Sequence, residues 1–160
     1  MKITQQIAKH LREVYFGGNW TYGSLKDALV DVDWEMTRQQ VYDFNTIGIL
    51  LFHINYYINA IIKVLNGEPL DSNDKYAFEK PAINSTEDWQ TFKEKIFEEA
   101  EQLAAKLETL DDDILAKLMA DEKYGIYYRN LHGIIEHCHY HIGQIVLIKK
   151  IILADRLKQS

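Results

Sequence analysis

The sequence predicts an all-α protein, a four-helix bundle with short extra helices in its connections. Three observations lead there. Apolar residues recur at helical spacing in four long segments. Both prolines, Pro69 and Pro81, fall within one connection. No stretch reads as a strand of a sheet, so the apolar stripes of the helices have only one another to pack against.

The first helix is expected over residues 3–15, where Ile7, Leu11 and Val14 share a face. Gly17 and Gly18 in "FGGNW" end it, because glycine tolerates the backbone angles a helix stop needs. "TYGSLKDAL" and "DWEMTRQQV" read as short helical turns leading to the second long helix, residues 45–65. There Ile47, Leu50, Leu51, Ile54, Tyr57, Ile58, Ile61, Ile62 and Leu65 form a wide apolar face, and "NG" at residues 66 and 67 terminates it. A long connection covers residues 66–85. "STED" at residues 85–88 resembles a capping box at the start of a third helix, residues 86–107. Trp89, Phe92, Ile96, Phe97, Leu103 and Leu107 make its apolar stripe. "DDDILAKLM" reads as a short helix with acids in its first turn, where the helix dipole favours them. "EKYGIYY" breaks the helical period and suits a small extended segment or hairpin. The last long helix is expected from an N-cap at Asn130 to about Arg156.

The chain of 160 residues suits one domain, residues 1–160. Its 18 basic and 24 acidic residues give a net charge of −6, without the basic face a nucleic-acid partner requires. A single cysteine excludes an internal disulfide and fits a reducing compartment. The N-terminus has no apolar stretch of the signal-peptide kind. Residues 47–65 are apolar and 19 long, which invites a membrane reading, but His53, Asn55, Asn59 and Lys63 would be expensive at a bilayer centre. A buried helix of a cytoplasmic protein is expected, with neither a membrane nor a nucleic-acid partner.

The chemistry concentrates in "EHCHYHIGQI", residues 136–145. At ~100° per residue, His137 and His141 lie ~40° apart and one turn apart, so both imidazoles can reach one divalent metal. His139 is rotated by ~200° and His132 by ~140° from His137, so both miss that site. A histidine pair at this spacing also arises without a metal. His53 sits in the middle of the apolar second helix; alone it reads as a hydrogen-bonded core residue, and with the pair it completes a three-histidine site. Three protein ligands leave a position open, as catalytic divalent sites do. A zincin would need Glu after the first histidine, where Cys138 stands. A di-iron bundle would need two E-x-x-H motifs, and only Glu136–His139 supplies one.

Cys138 points ~100° away from His137, which favours a buried, inert thiol over a ligand. Glu136 is either a hydrogen-bond partner for an imidazole or a solvated face residue. Gln144 lies on the side of the histidine pair, and Tyr57, one turn after His53, can reach the same cavity. Trp20, in "GGNWTYG", reads either as a residue at the pocket mouth or as a packing anchor.

Three segments together resemble the DinB / YfiT-like superfamily of metal-dependent enzymes: "YFGGNWTYGSLKDAL" after the first helix, "HINYYI" on the second, and "HCHYHIGQI", similar to an H-x-x-x-H-x-G-Q-I signature, on the last. The resemblance spans nearly the whole chain. It implies a four-helix bundle of up-down-down-up topology, metal ligands at His53, His137 and His141, zinc or nickel as the ion, and a homodimer. It also implies a small-molecule substrate. Some relatives in that superfamily are thiol-dependent, the mycothiol-dependent maleylpyruvate isomerases and bacillithiol S-transferases, in which the metal lowers the pKa of a low-molecular-weight thiol. Others are described as hydrolases that activate water. With one cysteine in the chain, thiol chemistry would need an external thiol cosubstrate. A non-catalytic, stress-related metal-binding bundle is the alternative.

Overall fold

In the computed structural model, residues 2–70 and 75–159 are described. Five α-helices account for most of these residues: α1 (Ile3–Phe16), α2 (Leu25–Ala28), α3 (Ile47–Leu65), α4 (Thr86–Thr109) and α5 (Tyr127–Gln159). Short 3-10 turns lie at Met36–Arg38, Asp112–Ala116 and Glu122–Tyr124. The protein is all-α among the described residues; its only β pairing there is one isolated antiparallel bridge, Leu118 to Ile126, within the segment where the helical period breaks. α1 packs on α4 and α5, and α3 packs on the same two helices. The core lies between them, with Leu11, Ile54, Ile58, Trp89, Leu103 and Ile145 among its fully enclosed side chains.

The helix boundaries have local causes. α1 stops at Gly17, whose φ of +111° is one that side-chain-bearing residues rarely adopt. α2 starts at Ser24, whose hydroxyl accepts the Asp27 N–H, and α3 starts at Thr46, which accepts the Ile49 N–H. Of the expected capping box at α4, one half forms: Ser85 accepts the Asp88 N–H, but the Asp88 carboxylate reaches back to the N–H of Asn84, one residue before the cap. The short helical turn expected in "DWEMTRQQV" is a single 3-10 turn at Met36–Arg38, held by Asp33 Oδ1 accepting the Met36 N–H at 2.7 Å.

Two elements differ more from expectation. α5 begins at Tyr127, and Asn130 is not its N-cap. The Asn130 amide instead donates to the carbonyls of Tyr124 and Ile126, tying the helix start to the preceding turn. With 33 residues, α5 spans roughly 50 Å. The acids of "DDDILAKLM" do more than begin their own turn: Asp112 accepts the N–H groups of Ile3 and Thr4, both at 2.9 Å, and so caps α1. Both corrections arise from contacts that spacing along the chain does not carry.

α3 is the one helix among the described residues long and apolar enough to cross a membrane, with mean hydropathy 1.5. Of its most apolar 18-residue window, 67% is buried inside the protein. The amide groups of its buried Asn55 and half-buried Asn59 both donate to Glu99 on α4, while Asn55 Oδ1 is buried without a partner. Residues 71–74 of the long connection lie outside the described set; its later part returns Ala77 and Ile83 to the core.

Candidate metal centre

α3 and α5 face each other where His53 meets the His137–His141 pair. His137 Nε2 lies 2.9 Å from His53 Nε2 and 3.1 Å from His141 Nε2. His53 and His141 are buried, and His137 is half-buried. These three side chains form the one His/Cys/Asp/Glu group among the described residues that could hold a metal ion, with ligand atoms all within 4.8 Å of one another. A tetrahedral ion at 2.0–2.1 Å from each nitrogen would need them roughly 3.3 Å apart. The two separations from His137 are within a few tenths of an ångström of that, and all three ligand atoms lie within 4.8 Å of one another.

The outer nitrogens determine which lone pairs point inward. His53 Nδ1 is 3.1 Å from the Ala77 carbonyl oxygen, an acceptor, so Nδ1 carries the proton and Nε2 the lone pair. His141 Nδ1 donates to Gln144 Oε1 at 2.6 Å, with the same consequence. His137 Nδ1 is buried without a partner. A proton on His137 Nε2 can satisfy only one neighbour and leaves Nδ1 an unpaired acceptor. A proton on Nδ1 turns three lone pairs onto one another. A cation resolves that convergence, and in this respect the residues fit a divalent metal. Outer-atom hydrogen bonds of this kind are how metal-binding histidines are usually oriented.

Electrostatics point the same way. Burial, with the neighbouring His141 and His53, pushes the His137 imidazole down to about 4. Burial also lowers His141, partly offset by its hydrogen bond to Gln144. Neutral imidazole is the form that binds metal.

Aromatic rings wall the centre. Tyr57 stands edge-on to His53 and His137, with centroids 5.2 and 5.1 Å away. Phe78 stacks on His53 at 3.8 Å. Beside His137 opens a cavity of about 410 Å³ whose lining includes Tyr57, Glu136 and Ile134. Phe78 and the Ala77 carbonyl are absent from the sequence expectation. They come from the long connection, where no periodicity marks a residue as facing a site.

The remaining candidates separate clearly. Gln144 touches the centre directly. Glu136 is exposed, lines the cavity and makes no hydrogen bond to an imidazole, which favours the solvated reading. Cys138 is fully buried toward α1, 3.7 Å from the Tyr15 hydroxyl, and burial pushes its thiol up to about 12. His139 faces His10 on α1, and His132 faces Tyr128. Trp20 does not reach the centre. It is 92% exposed and lines a separate groove with His10, Tyr128 and His132, because the loop after α1 lies on the α1 side of α5.

No family model, curated protein or solved structure matches the chain.

Proposed function

We propose that the chain is a metal-dependent enzyme of the DinB / YfiT-like kind, in which His53, His137 and His141 hold a divalent ion, zinc or nickel, beside a small-molecule cavity. The observation that carries this reading is the meeting of three Nε2 atoms whose outer nitrogens are, in two of three cases, held by Ala77 and Gln144. The packing of α1 and α3 on both α4 and α5 supports a four-helix bundle, and the long connections suit the up-down-down-up order that the resemblance implies.

A bound divalent ion supplies Lewis-acid activation, lowering the pKa of a thiol or a water at neutral pH. The chain's own residues do the rest. Ala77 and Gln144 keep the protons of His53 and His141 on the outer nitrogens. Tyr57 and Phe78 exclude water from the ring faces. The cavity beside His137 admits an electrophile and, in the thiol-dependent version, an external low-molecular-weight thiol. We favour thiol transfer over hydrolysis, because among the described residues no carboxylate is hydrogen-bonded to the triad to act as base for water, and Glu136, exposed at the cavity, makes no such bond. The same lack of a base favours, as a second reading, a non-catalytic metal-binding protein. In either version we place the chain in the cytoplasm, as a homodimer.

The test is metal content and affinity of tag-free protein, wild type beside His137→Ala. Stoichiometric zinc or nickel lost in the variant supports the site; no metal in either protein ends this proposal. Conjugation assays with several thiols on metal-loaded protein then separate transfer from mere binding.

A further inference from the structure

Beyond the metal centre, the cavity has an internal order. Arg129, Gly133 and His137 all line it, and they stand at i, i+4 and i+8 along α5. Residues so spaced share one helix face, and the run covers roughly 12 Å. The middle position has no side chain. A Cβ built on Gly133 would meet nothing within 4 Å, so the glycine leaves an open trough between the two polar ends. Glycine in a helix interior is destabilising relative to alanine, so its place here is not explained by helix stability. Packing does not explain it either, since no neighbour approaches closely enough to demand it. The sides are apolar, with Ile61, Leu70, Met119 and Ile134.

Arg129 closes the trough at the far end. One N–H of its guanidinium donates to the Tyr124 carbonyl at 2.9 Å, which anchors the head. Among the described residues no carboxylate pairs with it within 4.0 Å; the acid of the cavity, Glu136, lies beside His137 at the other end. Arg129 is exposed at the rim, and a guanidinium held by one hydrogen bond, with no carboxylate partner, beside an apolar trough matches a carboxylate, which it can bind through two parallel hydrogen bonds.

We propose that this trough binds a small molecule with a carboxylate at one end and an apolar body, the acid at Arg129, the body over Gly133 and the other end at His137. Arg129 then determines substrate class and orientation, and Gly133 determines length and thickness. The assignment rests on the metal reading only for what happens at the His137 end, since acid recognition is a property of Arg129.

The experiment compares 4-phenylbutyrate with its uncharged amide, 4-phenylbutyramide, by isothermal titration and by backbone amide shifts. It uses full-length protein treated with chelator, so that the acid cannot bind through a metal. The expected result is roughly 10- to 100-fold preference for the acid, lost in Arg129→Met and retained in part in Arg129→Lys. Shifts should map to residues 129–137, and Gly133→Leu should abolish binding of both compounds while its far-UV circular dichroism stays that of wild type. Should Gly133→Leu fail to fold, Gly133→Ala should weaken both. Equal affinity for acid and amide, no binding of either, or a preference that survives Arg129→Met would overturn the proposal. The metal reading fails separately: acid preference without stoichiometric metal leaves the trough and removes the centre, whereas metal without acid preference does the reverse.

Discussion

On the α3-facing side of α5, His137 and His141 meet His53 with nitrogens 2.9 and 3.1 Å apart. On the α1-facing side, His139 meets His10 with ring centroids 6.2 Å apart, and Cys138 lies against Tyr15. Both sides draw on the same five residues of sequence, 137–141. The helical period sorts them: alternate residues point in opposite directions, and residues four apart return to one face. A dense run of metal-binding residue types is therefore two unrelated surfaces. One has converging lone pairs and a buried nitrogen without a partner; the other is ordinary packing.

The sharpest way to break this distinction is to remove one histidine from each side. His53→Ala should cost zinc affinity more than the roughly 10- to 100-fold typical of outer-atom partners. His139→Ala should leave it within about twofold. Competition titration against a chromophoric chelator measures both. Equal losses would mean that the ion, if it binds, is held by the run of histidines rather than by the face.

Gln144 comes next. It touches only the outer nitrogen of His141, at 2.6 Å. Gln144→Leu should weaken zinc roughly 10- to 100-fold, and Gln144→Glu should restore it, since a carboxylate accepts the same proton. Unchanged affinity in Gln144→Leu would show that the centre does not depend on fixing that ring.

How much of this was readable in the sequence follows from the range of each interaction. The period of α5 identifies His137 and His141 as a pair, excludes His139 and sends Cys138 away from them. It does so because a helix relates neighbours by fixed rotation. The apolar run of α3 makes His53 conspicuous. By contrast, Ala77 and Phe78 reach His53 from 24 and 25 positions along the chain, through a connection without periodicity. The two readings of Trp20, pocket mouth or packing anchor, stay open in the sequence for the same reason: a glycine-flanked loop can turn toward either side, and here it follows α1. Asn130 has the chemistry of an N-cap, but its amide found acceptors in the turn before α5. Local pattern assigns faces; it does not assign partners from loops.

Cys138 tests the packing side directly. Cys138→Ala should destabilise the protein by about 1 kcal/mol, as a small core truncation does, and leave zinc affinity unchanged. In the wild type the thiol should resist a disulfide reagent at pH 8 until denaturant is added, because it is fully buried and held near 12. A variant that keeps its stability but loses zinc would place the thiol among the ligands and join the two faces.

The smallest effect is expected where Asp112 caps α1. Its hydrogen bonds from Thr4 and Ile3 hold the carboxyl below its ordinary value of 3.8. The sign follows from linkage: a carboxyl whose pKa is lowered by folding contributes stability that is present above 3.8 and lost as pH falls through the lowered value. Asp112→Asn keeps one acceptor and loses the charge, so its melting temperature should fall below that of the wild type at pH 7. The gap should narrow as pH drops below 3.8, and zinc affinity at pH 7 should be the same in both proteins. A gap independent of pH would mean that the cap works through neutral hydrogen bonding alone. A change in zinc affinity would mean that the α1 side of α5 is coupled to the histidine side, against the separation that the helix period imposes.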